Sequence, residues 1–369
     1  MSMSDIKKKI AFTGGGSGWH ILPIISLMQY IDDTDHCRKT VDSVYRFGEK
    51  TGMEYNFYVS TQVLFQHIHP QFISIISGKY RRETILLSRL KNIRDLFLFP
   101  LGILQSIFWL RYYDIDVVFC KWGYVALPVV LAAWILRKSI YVHDSDTTTG
   151  LTNRLASRFS TKNFSGFPDT LPHTVCVGQI LSNNLIASDI SPLVSDRIEV
   201  LIAGWSLGAK KLYQGVLTAI KQLWIQSDQY HFTFINGDKL IEVNDSWLLS
   251  DTITITGLIQ DQAEMGRLYA QSDLAIVRGG TTTLAECKLF DLPLVIVPLP
   301  VTHDQQRNAQ WYADTYNDIL IDQNDIAFVD KLQSILRSAS KRIKSYDNKK
   351  ILHTIQHAKK IIINEMLWL

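Results

Sequence analysis

"RIEVLIAGWSLGAKKL", residues 197–212, reads as a strand, a glycine turn and a helix start, and "KKIAFTGGGSGWHILPII", residues 8–25, follows the same order. A turn of this kind lets backbone approach a ligand closely and offers it the free N–H groups of a helix N-terminus. Its recurrence means that the folding pattern starts twice. After the first turn come the short apolar runs "VYRFG", "FISIISG", "IDVVFC", "SIYVHD", "TKNFSGF" and "HTVCVG". After the second come "YHFTFING", "TITITGL", "LAIVRGG", "PLVIVPLP" and "DILID". Val-, Ile- and Phe-rich runs separated by helical patterns are the signature of a parallel sheet covered by helices. The expected fold is therefore α/β, with two doubly wound domains in series. They cover residues 1–180 and 181–346, and the sheet signal lapses over 179–196. The closing stretch, residues 347–369, reads as an amphipathic helix with no strand after it.

A chain of 369 residues with 47% apolar and 20% charged residues can build two packed cores. The net charge is only +3, so any pull on a polyanion must come from a local patch; nucleic acid is not an expected partner. Cys37, Cys120, Cys176 and Cys287 form no C-x-x-C pair, which argues against a disulfide framework or a zinc site and for a reducing, cytoplasmic setting. The polar start "MSMSDIKKK" lacks the apolar core of a secretory signal. The longest apolar run, residues 96–110, is shorter than the ~20 residues that span a bilayer and contains Pro100 and Gln105. Lys79, Arg81, Arg82, Arg89, Lys91 and Arg94 precede it, which places basic and apolar surface together as an anionic membrane face would require.

In sheets of this class ligands bind beyond the carboxyl ends of the strands. The turn Gly14–His20 suits an anion but is not G-x-G-x-x-G with a following acid, so nicotinamide binding is not expected. His20, at its mouth, is either a general base or a helix cap. "GWSLGAK", 204–210, suits a diphosphate or is a plain turn. In "RGGTTTLAEC", 278–287, Glu286 could accept from a ribose diol or simply favour the helix dipole. "VTHDQQRNAQ", 301–310, places polar side chains where a sugar would sit. His143, Asp144 and Asp146 lack the spacing of a metal site.

Taken in order, "GGGSGWHILP", "RFGEKTGME", "ISGKYRRE", "KWGYVALPVVLAAW", "HDSDTTTGLTNR", "GFP", "VGQILS", "GWSLGAK", "RGGTTTLAE" and "HDQQRNA" resemble the MurG family over most of the chain. These are the peptidoglycan N-acetylglucosaminyltransferases that convert lipid I to lipid II. The resemblance implies two Rossmann-like domains facing a cleft, the GT-B fold, with the C-terminal helix returning to the first domain. It implies a peripheral enzyme on the cytoplasmic face of the plasma membrane. UDP-N-acetylglucosamine would be the donor and a lipid-linked muramyl peptide the acceptor, with no cofactor and no metal in the chemical step. His20 would be the base on the acceptor's C4 hydroxyl, with Asp146 and Asn153 on the acceptor side. Ser17, Gly18, Ser182, Gly204, Ser206, Gly208, Ile259, Thr281, Thr282, Thr283, Glu286 and Gln305 would hold the donor. A related transferase with another lipid acceptor, or a non-catalytic binding homologue, are the alternatives.

Two departures bear on the site. The family's Asn in "HEQN" is Asp146 here, and the Arg ending its "GNPVR" is Ser182, which removes a cation beside the donor phosphates. In addition Trp19, Trp122 and Trp205 each stand where the family has glycine. A UGA codon, glycine in some bacterial lineages and tryptophan in other codes, would leave this pattern. The 20 glycines, roughly 5% of residues against an average of about 7%, lean the same way.

Overall fold

The computed structural model describes residues 7–15, 18–78, 86–121, 123–170, 173–186, 195–204, 209–223, 229–236, 252–259, 261–300, 302–344 and 346–368. They form two compact units, Met1–Leu181 with Ile355–Leu369, and Ser182–Thr354.

In the first unit the chain runs β1 (Lys8–Thr13), α1 (Gly18–Asp33), α2 (Asp35–Thr40), β2 (Val41–Gly48), α3 (Met53–Thr61), β3 (Gln71–Ser74), α4 (Leu86–Tyr112), β4 (Val117–Cys120), α5 (Ala126–Ile135), β5 (Ser139–Asp144), α6 (Leu151–Ala156), β6 (Lys162–Ser165) and β7 (Thr174–Cys176). The sheet is parallel throughout, in the order β3-β2-β1-β4-β5-β6-β7. Alternation along the strands sorts side chains onto two buried faces. Ile10, Phe12 and Phe119 pack under α1, whereas Ala11, Val118 and Cys120 pack with Val129, Val130 and Ala133 of α5.

The second unit runs β8 (Ile198–Ala203), α7 (Ala209–Leu223), β9 (Tyr230–Ile235), β10 (Ile253–Thr256), α8 (Gln262–Gln271), β11 (Leu274–Val277), α9 (Thr281–Leu289), β12 (Leu294–Ile296), α10 (His303–Tyr316), β13 (Ile319–Leu320) and α11 (Phe328–Ser338). Its sheet order is β10-β9-β8-β11-β12-β13, again all parallel. Strand order reverses between β1 and β4 in one sheet and between β8 and β11 in the other. Crevices for ligands open at such points.

The last helix, α12 (Asn348–Leu367), buries Ala358, Ile362, Ile363 and Met366 in the first unit's core. Spacings of three and four residues put these on one helical face. Lys359 is buried beside them; its Nζ donates to Leu181 O at 2.8 Å, and burial lowers its pKa to about 7 against the pull of Asp33.

The apolar run 96–110 lies inside a longer helix than its own length suggests. Within α4, Asn92–Tyr112 spans 21 residues at a mean hydropathy of 1.4, enough by length and composition to cross a membrane. One face is nevertheless docked on the unit. Ser106 and Leu110 are fully buried, and a Cβ on Gly102 would lie 2.2 Å from Ile76 O. Gln105 explains its place in an apolar run. Its side chain accepts from Ile76 N–H at 2.7 Å and donates to Ser74 O at 3.0 Å, so it satisfies the backbone just past β3.

Candidate functional site

At the first reversal point two glycine turns meet backbone to backbone. Gly123 has φ +109°, and a Cβ there would lie 2.3 Å from Gly15 O, so only glycine fits both the conformation and the space. Beneath the turn, Arg46 is buried and donates to Gly14 O at 2.5 Å; burial lowers its pKa to about 10 although Glu54 opposes the shift. The turn thus rests on a buried cation and carboxylate that the sequence reading left unassigned.

His20 sits in the first turn of α1, half-buried. Desolvation first and the charge of Lys121 second lower its pKa to about 3, so the ring is neutral at physiological pH and able to accept a proton. Lys121, the residue after β4, is 1% exposed. Its Nζ contacts His143 Nδ1 at 2.8 Å and donates to Ser145 Oγ. His143 Nε2 lies 3.0 Å from Gly178 O, a pure acceptor, so the ring carries its proton on Nε2 and its Nδ1 accepts from Lys121. Burial and then Lys121 hold His143 well below the usual histidine range. Burial also lowers the Lys121 pKa to about 8, against the charges of Asp144, Asp146 and Cys120. Asp144 is raised by burial, with the Asp146 N–H bond at 3.2 Å and Lys121 pulling the other way.

The acceptor-side expectations therefore divide. Asp146 is partly exposed on the loop after β5, within the field of Lys121. Asn153 is fully buried, and its Nδ2 donates to His143 O at 3.4 Å, so it braces the end of β5. With both nitrogens of His143 engaged inside the protein, that ring is not placed to bind a metal. Among the described residues no group of three or more His, Cys, Asp or Glu has metal-holding geometry.

The second reversal point is built differently. Gly204 ends β8, and its N–H donates to Tyr213 Oη at 2.9 Å, which in turn donates to Ile235 O at 2.6 Å. One phenol on α7 thereby ties the β8 turn to the end of β9. Across the reversal, Arg278 is buried and donates to Val297 O at 2.8 Å. Gly279 then passes so close to α10 that a Cβ would lie 2.4 Å from Gln305 O. This approach brings Thr281, Thr282 and Thr283, which open α9, beside the start of α10. Gln305 Oε1 accepts from Leu299 N–H at 3.2 Å, which fixes the orientation of its side-chain amide. Glu286 is 6% exposed and accepts from Tyr269 Oη at 2.8 Å. Burial raises its pKa to about 7, with the Tyr269 bond opposing.

Among the other donor-side expectations, Ser182 accepts from Asn184 N–H at 3.2 Å within its own turn, and Ile259 is a buried apolar residue. Gly18 opens α1. Ser17, Ser206 and Gly208, together with Trp122 and Trp205, lie outside the described residues, as does the side chain of Trp19. Of the basic residues expected beside α4, Arg94 is described: it is exposed and pairs with the buried Asp95 at 2.6 Å. Lys79, Arg81 and Arg82 fall outside, as do the side chains of Arg89 and Lys91.

Lys121, Tyr213, Tyr269 and Arg278 were not assigned roles from sequence. For Lys121 and Arg278 the signal was present, since each is a cation directly following an apolar central strand. The tyrosines look like ordinary helical core residues.

Comparison with known proteins identifies both halves. Residues 10–165 match the glycosyltransferase family 28 N-terminal domain, and residues 199–365 match the family's C-terminal domain. The chain is 29% identical to a UDP-N-acetylglucosamine–N-acetylmuramyl-(pentapeptide) pyrophosphoryl-undecaprenol N-acetylglucosamine transferase of Shouchella clausii, covering 83% of each protein. It is 27% identical to a Bacillus anthracis protein of the same description, over 95% of this chain and 98% of that one. The fold is shared with Acinetobacter baumannii MurG at a TM-score of 0.71 and 21% identity, over 98% of this chain and 100% of that one. It is also shared with a Neisseria meningitidis UDP-GlcNAc 2-epimerase at a TM-score of 0.63 and 14% identity, over 98% and 100%.

Proposed function

The chain belongs to glycosyltransferase family 28, as a MurG-type member with the two-domain GT-B fold, and from that premise we propose that it transfers N-acetylglucosamine from UDP-GlcNAc to lipid I, yielding lipid II. The observation that carries this reading is coverage. Both family domains occur in order, and the alignment takes in 98% of the Bacillus anthracis transferase, so the likeness extends over nearly the whole of that relative and is not confined to one domain.

In this proposal the transfer is an inverting displacement. The acceptor's C4 oxygen attacks the anomeric carbon as the bond from that carbon to the UDP phosphate oxygen breaks, and the hydroxyl proton passes to neutral His20. Glu286 accepts from the ribose hydroxyls, the NH₂ of Gln305 meets the sugar, and the N-terminus of α9 faces the diphosphate. In this reading the leaving charge is met by oriented N–H and hydroxyl groups, and the transfer proceeds without a cofactor. Incubation with labelled UDP-GlcNAc and lipid I tests it. Lipid II is the expected product; labelling of a different polyprenyl acceptor alone would move the acceptor assignment, and no transfer from any UDP-sugar would overturn the reading.

The first unit also supports work at a membrane surface on the cytoplasmic side. Ile93, Phe97, Leu101, Leu104, Phe108 and Tyr112 recur at three- and four-residue steps along α4, and all are more than half exposed. The opposite side of the same helix is docked on the unit, which favours a helix lying on the bilayer over one crossing it. Vesicles containing anionic lipid are expected to sediment the protein, and Phe97→Asp with Leu104→Asp to abolish this. Binding unaffected by both substitutions would remove α4 as the contact.

A further inference from the structure

Lys121 is a long cationic side chain placed where a charge is expensive, at the carboxyl end of a central strand and 1% exposed. The fold spends several interactions on it. Its backbone N–H donates to Thr13 O at 2.9 Å, which continues the β1–β4 pairing by one residue. Its Nζ is held by His143 Nδ1 at 2.8 Å and by Ser145 Oγ, one on β5 and one just after it. Gln179 Nε2 closes the same loop by donating to Ser145 O at 2.8 Å, and Gly178 O takes the other end of His143 at 3.0 Å. The groups around the ammonium come from every neighbouring element. They are Cys120 on its own strand, His20 from α1, His143 and Asp144 from β5, and Asp146 from the following loop. Another buried cation, Arg46 of β2, lies under the Gly14 turn and bonds Gly14 O at 2.5 Å.

This arrangement does more than fill space. Nothing about the strand requires a cation after Cys120, and an apolar side chain would pack there without a desolvation cost. What the cation adds is a single charge within range of two acids on one side and of His20 on the other. Because it sits behind His143 and Ser145 and is fully buried, it does not touch substrate.

We propose that Lys121 is a positioning residue of the acceptor side: its ammonium, clamped between His143 and Ser145, fixes the end of β5 with Asp144 and the loop that carries Asp146, and sets a charge beside His20. The part concerning His20 as a base rests on the transferase reading; the clamp and its charge coupling do not. The tautomer of His143 follows from the same clamp, since Nδ1 must stay unprotonated to accept from Lys121.

Histidine-ring ¹⁵N–¹H NMR of the intact protein tests the coupling without any assay of turnover. In the wild type, His143 is expected to show the Nε2–H tautomer throughout. Its resonances and those of His20 should step together as Lys121 loses its proton near pH 8. Separate behaviour, with no common step, would overturn the proposal. Lys121→Met, which keeps the apolar stem, should move the His20 titration upward by about one pH unit or more. The acid limb of kcat/KM should move with it, while UDP-GlcNAc affinity stays as in the wild type. Lys121→Gln restores a donor to His143 Nδ1 without the charge, so it should recover the tautomer and not the His20 titration. A folded Lys121→Met protein with an unchanged His20 titration would refute the idea. If that variant does not fold, the wild-type titration decides. If no transferase activity is found, the ring titrations still report the clamp, and the two failures remain distinct.

Discussion

The two sheets reverse their strand order in the same way, and yet the chemistry placed at the two reversal points is opposite in kind. Beyond β1 and β4 the side chains are ionisable and close-packed: His20, Lys121, His143, Asp144 and Asp146, with the Arg46–Glu54 pair beneath. Beyond β8 and β11 they are largely hydroxyls, an amide and backbone groups, namely Thr281 to Thr283, Gln305 and the Gly204 turn held by Tyr213, with Glu286 as a buried carboxyl and Arg278 as a buried cation tied to Val297 O. The lesson is one of division of labour. A doubly wound sheet fixes where a ligand can approach, and the residues just past the strands decide whether that place handles protons or holds a polar ligand by fixed donors.

The comparison breaks hardest if the proton-handling side can lose its base. His20→Ala is expected to lower turnover by about 10²–10⁴-fold while UDP-GlcNAc binding, which the proposal assigns chiefly to the other unit, is retained. Single-turnover transfer and calorimetric binding on the same protein check both halves. Wild-type turnover would remove His20 from the chemistry, and loss of both functions would mean that the two sites are not separable as argued.

The next effect in size concerns the ionisable group on the binding side. Glu286 has its pKa raised to about 7 by burial, and ribose hydroxyls donate best to the ionised form. Affinity for UDP-GlcNAc, which has no ionisation of its own in this range, should therefore rise as pH increases through 7. Glu286→Gln should bind roughly ten- to a hundredfold more weakly above pH 8 and lose the pH dependence. The sign for stability is the reverse. A carboxyl whose folded pKa is raised makes the folded state bind more protons, so its contribution falls as pH rises from about 4.5 to 7. An affinity that is flat in the wild type would sever Glu286 from the diol.

Much of this contrast was legible in the sequence, for physical reasons. The recurrence of buried parallel strands follows from apolar runs and glycine turns, because a strand buried on both faces must be apolar along its length; "IDVVFC" and "LAIVRGG" show this directly. The loops that carry Glu286 and Gln305 were singled out because each follows an apolar strand run, and the roles of the two side chains rest on the family resemblance. The identity of their partners was not legible. Tyr269 and Tyr213 lie seventeen and nine residues from the groups they bond, on helix faces that read as plain core. Asn153 entered on the acceptor side through the family resemblance alone, and its burial depends on how α6 lies against β5, which the sequence does not show. The apolar run 96–110 does not mark the extent of α4 for a related reason: Asn92 and Arg94 lie outside the run in sequence but within the helix in space.

The smallest expected effect sharpens the binding side. Tyr213→Phe removes one hydroxyl and keeps the ring in the core. The substitution leaves Gly204 N–H without the acceptor it has at 2.9 Å and Ile235 O without the donor it has at 2.6 Å, both in a buried setting. Leaving such groups unmatched costs about 1–2 kcal/mol, partly recovered if water enters. Chemical denaturation should show this loss in the transition that carries the second unit, and that unit's hydrogen exchange should quicken first at the β8 turn. If the turn is held mainly by this phenol, UDP-GlcNAc binding weakens by a similar free energy, since the ligand must then order the turn itself. Unchanged binding at reduced stability would show that the turn keeps its shape without Tyr213, and the hydroxyl would then stabilise the fold alone.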